Sequence, residues 1–162
     1  MTGADRYRFV NGLCTNKVLD AKPGQVIESC FTTKTGRTVD LTTVVVLDDA
    51  LLVLCSASRL QHLFQAMDAL IFPKDAVQIE DLTLALARFH LVGPKASALV
   101  GTAPDGLPAA LPGAHEAAAW GSTGLLVSGS GLASPGYTVV VPMRDAVAAW
   151  QHLASRVSEV GV

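Results

Sequence analysis

The chain has 162 residues, 50% of them apolar and 16% charged, with a net charge of −2. That length suits one domain burying roughly 70% of the surface its unfolded chain exposes, without a stabilising metal or disulfide. The near-neutral balance lacks the basic footprint of a nucleic-acid binder, no apolar run is long enough to span a bilayer, no apolar signal region opens the chain, and Cys14, Cys30 and Cys55 form no CxxC pair, so reduced thiols in a cytoplasmic setting (or an organelle matrix after processing) are expected.

Asp5 to Asn11 reads as a short helix ending at Gly12, a residue suited to a helix C-terminus. A turn at Lys22-Pro23-Gly24 leads into two strands, Gln25 to Thr33 and Thr38 to Leu47, joined through Thr35-Gly36. The period of two puts Val39, Leu41, Thr43, Val45 and Leu47 on one face of the second strand, and Thr38, Asp40, Thr42, Val44 and Val46 on the other. Ala50 to Cys55 is an unbroken apolar run that fits a third strand. Ser58 to Phe72 is the clearest helix, with Leu60, Leu63, Phe64, Met67, Leu70 and Ile71 as one stripe, Ser56 or Ser58 as its cap and Pro73 as its stop.

A strand is expected over Ala76 to Asp81 and another over Leu84 to Val92, then a short helix from Pro94 to Val100 and a Pro/Gly-rich loop from Thr102 to Gly113. His115 to Trp120 and Leu125 to Ser128 form a hairpin around Gly121-Ser122. Tyr137 to Val141 is a strand, and Met143 to Val157 a final helix that buries Val147, Trp150, Leu153, Ala154 and Val157. Strands joined by tight turns, with helices set among them rather than alternating strictly, predict an α+β fold with antiparallel sheets and flanking amphipathic helices.

The usual catalytic signatures are missing. There is no GxSxG elbow, and the Gly/Ser-rich stretch from Val127 to Gly136 lacks phosphate-loop spacing. His62, His90, His115 and His152 show no metal-ligand spacing, so no metal site is expected.

Three segments point elsewhere. Phe9 to Val18, FVNGLCTNKV, resembles the pattern FLQGQxTxDV of the folate-binding proteins related to the glycine-cleavage T-protein, with Lys17 where an acid is usual. Thr33 to Asp40, TKTGRTVD, resembles that family's TPKGRxxxD. Ala133 to Thr138, ASPGYT, falls where the family has GExG(F/Y)E, and lacks both acids. The T-protein branch carries two adjacent acids in the second segment, one beside the reactive nitrogen of tetrahydrofolate. This chain has Val39 and then Asp40.

The resemblance implies a single folate-binding domain over 1–162 with two lobes, roughly 1–82 and 83–162, and no C-terminal barrel. It implies tetrahydrofolate as the ligand. Asp40 is then the candidate catalytic residue, and Lys34, Arg37, Asp40, Tyr137, Thr15 and Asn16 the candidate ligand contacts. The basic pair Lys34 and Arg37 would hold the anionic glutamate tail, Asp40 would meet the pterin, and Tyr137 would stack opposite. The other reading of Asp40 is a solvent-facing strand residue, and of Thr15 and Asn16 a loop anchor. The missing clamp acids favour the YgfZ branch, folate-dependent proteins that maintain iron–sulfur enzymes, although the KGCYxGQE signature of that branch is absent. An aminomethyltransferase of the T-protein type is the alternative. A non-catalytic module that binds a protein partner or a second copy through a sparsely charged surface is a third.

Overall fold

A computed structural model describes residues 1–100, 116–129 and 136–160. The expected loop at 102–113 and the Ser134 region of the third motif lie outside these residues. The chain forms two compact units, Met1–Asp81 and Leu82–Val162. As the sequence pattern predicts, it is α+β with antiparallel sheets.

In the first unit, α1 (Arg6–Asn11) precedes the antiparallel strands β1 (Val26–Thr32), β2 (Thr38–Val46) and β3 (Leu51–Leu54), followed by α2 (Leu60–Asp68). Gly12 follows α1 with φ −78°, so no left-handed cap forms there. The loop is anchored instead by Asn11, whose Oδ1 accepts the amides of Val18 (2.9 Å) and Leu19 (3.2 Å). At the β1–β2 turn, Gly36 does take a positive φ of 76°, open to glycine at little cost. Thr33 closes that turn, its N–H donating to the Arg37 carbonyl (2.8 Å) and its Oγ1 accepting from Arg37 N–H (3.1 Å).

The even-numbered face of β2, from Asp40 to Val46, is buried, while Leu41 is exposed. The core joins Val44 and Val46 to Val10, Val18, Phe31, Leu51, Leu63 and Met67. Both long edges of the sheet are partly covered. On β1, the loop after α1 runs as an extra strand, with Thr15 N–H donating to Cys30 O and Thr32 N–H to Leu13 O. Beside β3, Thr2 bridges to both Ala50 and Gln78. Exposed edges invite intermolecular pairing, and these additions block it. The expected strand at 76–81 is reduced to that single bridge at Gln78, and α2 stops at Asp68, short of Pro73.

A charged tie fastens α1 to the segment after α2. Arg8 Nη2 donates to Asp75 (2.8 Å) and Nε to Asp5 (3.4 Å), while Asp5 accepts Ala76 N–H and Asp75 accepts Phe72 N–H. Those amides first, and Arg8 second, hold both carboxyls below the usual carboxylate range. A depressed folded pKa gives stability that is present above the unfolded value of about 4 and is lost as pH falls through the folded value. Asp75→Asn is therefore expected to flatten the acid limb of a pH–stability curve below about pH 4, measured by thermal midpoints. A limb unchanged by the substitution would show that the tie contributes nothing.

In the second unit, β4 (Leu86–Val92), β5 (Ala117–Trp120), β6 (Gly124–Ser128) and β7 (Gly136–Pro142) make one antiparallel sheet in the order β4-β7-β6-β5. The central strand β7 is buried from Gly136 to Val141, with Thr138 the one polar side chain in that stretch apart from the Tyr137 hydroxyl. Helices α3 (Ala96–Val100) and α4 (Ala146–Val160), the latter entered through a 3-10 turn at Met143–Asp145, complete a core of Leu91, Leu99, Leu126, Val139, Val141, Ala149 and Leu153. Trp120 folds back over Gly124. A Cβ there would lie 2.6 Å from Trp120 O and 2.9 Å from its ring. Gly124→Ala is expected to lower stability by about 1–3 kcal/mol through overpacking, read as a lower thermal midpoint.

One expectation for α4 fails. Val147 (68% exposed) and Trp150 (60%) are not in the core; Ala149 and Leu153 are. Two adjacent stripes of α4 are apolar, and the one holding Ala149 lets the helix approach the sheet closely. Trp150 rests against Phe89 at its side, ring centroids 6.0 Å apart. Among the described residues no helix is long and apolar enough to cross a membrane.

Candidate functional site

The antiparallel register brings the candidate residues of the first unit to one end of its sheet. Phe31 pairs with Asp40 across β1 and β2, and Cys14 bridges to Phe31 from the loop. The β2–β3 register runs from Val46↔Leu51 to Thr43↔Leu54, so β3 leaves the sheet at Thr43, three residues before Asp40 along β2. The turn carrying Lys34 and Arg37 closes that same end, and both side chains are exposed. At about 3.3 Å per residue, Arg37 and Asp40 are roughly 10 Å apart along β2.

Asp40 is 8% exposed and faces the core side of the sheet. Both of its oxygens are engaged by one residue. Oδ2 accepts the Ser56 backbone N–H (2.7 Å) and Oδ1 the Ser56 hydroxyl (2.8 Å). The Ser56 carbonyl in turn accepts from Arg59 and Leu60 at the entry to α2. Ser56 thus does not cap α2 with its side chain, and no side chain caps that helix. The sequence pattern reveals Ser56 only as a capping candidate, because a contact sixteen residues back depends on strand register. Two further buried hydroxyls escape the sequence reading for the same reason. Thr42 Oγ1 donates to Ser29 O (3.1 Å), and Ser29 Oγ accepts Asn16 N–H (2.9 Å).

Thr15 and Asn16 are held against β1. Thr15 Oγ1 accepts from Cys30 N–H (3.2 Å) and lies 3.3 Å from Ser29 Oγ, while Asn16 Nδ2 donates to Glu28 O (2.6 Å). Tyr137 is placed in the second unit, 2% exposed within its core, and burial pushes its phenol pKa up. The structure thus assembles Lys34, Arg37, Asp40, Thr15 and Asn16 in one unit and Tyr137 in the other.

Chemically, the first-unit group offers two exposed cations, an anchored carboxylate and a set of hydroxyls around one sheet. Among the described residues no three His, Cys, Asp or Glu side chains converge as metal ligands would. The arrangement suits recognition of an anionic molecule with a polar heterocyclic head.

The model of the GCVT N-terminal domain matches residues 1–162. The chain belongs to that family. GcvT-type domains of this kind are folate-binding, as the three sequence segments imply. A chloroplastic Arabidopsis thaliana protein named as a candidate transferase is 27% identical over 155 residues, covering 94% of this chain and 36% of the relative. The crystal structure of the glycine cleavage system aminomethyltransferase T from Bartonella henselae superposes with a TM-score of 0.78 at 17% identity, over 96% of this chain and 42% of that one. That likeness establishes the GcvT fold. The chain spans well under half the length of either protein.

Proposed function

We propose that this GcvT-type domain binds a reduced folate at the open end of the β1–β3 sheet, and that it serves, like the YgfZ branch it resembles, to support iron–sulfur enzymes rather than to transfer aminomethyl groups. The observation that carries the reading is the acid pattern of β2. Val39 stands where the transferase branch has a second carboxylate, and the remaining Asp40 is held by Ser56. A site with one anchored acid can orient a donor group on a pterin. It lacks the second acid of the transferase pattern. Lys34 and Arg37 are the proposed contacts for the glutamate tail, and Thr15 and Asn16 line the flank. Tyr137, 2% exposed in the core of the second unit, is left out of the proposed contacts.

The test is an NMR titration of the labelled protein with folinate (5-formyltetrahydrofolate). Shift changes are expected at residues 12–18, 33–40 and 55–57, with a Kd on the order of 0.1 mM, or about −5.5 kcal/mol. No response at millimolar folinate, or changes confined to α2, would overturn folate binding. For the cellular role, loss of the gene is expected to lower iron–sulfur dehydratase activity and leave glycine cleavage intact. The reverse pattern would favour an aminomethyltransferase. The exposed Leu84, Val147 and Trp150 favour a second reading, a module that docks on a protein partner or on a second copy in the cytoplasm or an organelle matrix.

A further inference from the structure

We propose that the group meeting the ligand is the Ser56 hydroxyl oxygen, acting as an outward hydrogen-bond acceptor for an N–H donor of the heterocyclic head, and that Asp40 is the positioning residue behind it. The inference rests on the folate-type reading and names which atom of that site does the recognising. Asp40 is buried, whereas Ser56 is exposed at the end of β3. A hydroxyl has one proton and two lone pairs. The 2.8 Å bond to Asp40 Oδ1 commits that proton inward, so the lone pairs are what remains for a ligand. A carboxylate behind a hydroxyl also polarises it, because chains of hydrogen bonds strengthen one another in a low-dielectric setting. The orientation is fixed at two more points, by Ser56 N–H on Asp40 Oδ2 and by the Ser56 carbonyl on Arg59 and Leu60. The neighbouring hydroxyls are differently engaged: Thr42 Oγ1 donates to Ser29 O, and Thr15 Oγ1 accepts the Cys30 amide.

This assignment predicts a particular failure of Asp40→Asn. Ser56 N–H still needs an acceptor, so the amide oxygen takes it and the amide NH2 faces Ser56 Oγ. The hydroxyl must then accept from within and turn its proton outward, which opposes an N–H donor on the ligand. Calorimetric titration of folinate into the wild type, Ser56→Ala, Ser56→Thr, Asp40→Asn and the Asp40→Asn/Ser56→Ala double variant tests it, each variant first checked for a wild-type circular dichroism spectrum. Ser56→Ala and Asp40→Asn are each expected to weaken binding about tenfold, as loss of one good hydrogen bond does. Ser56→Thr, which restores the hydroxyl, should stay within about threefold, and the double variant should be no weaker than either single one, as expected for two residues acting through one contact. Should Ser56→Ala not fold, Ser56→Gly removes the same hydroxyl. Full affinity without the hydroxyl, in a protein whose wild type binds folinate, overturns this assignment alone. So do additive losses in the double variant, which would mean that Asp40 touches the ligand itself. A wild type indifferent to folinate overturns the folate reading and this assignment with it.

Discussion

Phe31→Ala is expected to lower the unfolding free energy of the first unit by about 3–5 kcal/mol. Phe31 is 1% exposed and lies in register with Asp40, among Val10, Val44 and Leu63. Its ring is flanked by two strands and overlaid by α1 and α2 residues, so little can collapse into the space that truncation leaves. The cost is therefore the lost transfer energy plus a cavity term, and the rigid sheet keeps the cavity open. Both tryptophans, Trp120 and Trp150, belong to the second unit, so their fluorescence reports the wrong half of the chain. Urea unfolding followed by NMR of first-unit amides is the suitable measurement. A loss below about 1 kcal/mol would mean that the ring is not packed as described.

Leu63→Ala is expected to cost about 2–5 kcal/mol, and Trp150→Ala less than about 1 kcal/mol, although tryptophan is the larger side chain. Leu63 is 3% exposed and projects from α2 into the core that holds Phe31 and Met67. Trp150 is mostly solvated and gives up a tilted ring contact with Phe89. The ranking follows burial rather than size. A Trp150→Ala loss equal to that of Leu63→Ala would show that the outer stripe of α4 is covered in solution, as the partner-docking reading requires.

Much of this fold was legible in the chain. Alternation along β2, the unbroken run of β3 and the stripe of α2 are each pattern signals that burial requires. The errors have physical causes. Residues 76–81 are apolar at Val77 and Ile79 and look like a strand, but they pair only at Gln78, because their role is to pack against a core whose edge Thr2 already shares. In α4, two apolar stripes compete and local pattern does not choose between them; close approach to the sheet favours the one bearing Ala149. At the site, Asp40 was readable from its motif. Its partner Ser56 was not, because hydrogen bonds across a three-stranded register leave no mark in local sequence. The same holds for Ser29 and Thr42, ordinary strand residues until the loop carrying Thr15 and Asn16 is laid along β1.

The bridge of Thr2 to both Ala50 and Gln78 has a consequence for synthesis. Thr2 must wait for Gln78 to be made before its place between Ala50 and Gln78 is complete. At ribosomal rates of about 5–20 residues per second, that is a delay of roughly 4–15 s, far longer than hairpin or helix formation. The β1–β2 hairpin can close in the meantime and Thr2 can pair with Ala50, while the outer side of the Thr2 segment stays bare. A nascent chain paused before Gln78 is therefore the form most exposed to strand-mediated association, and chaperone capture during translation should peak there.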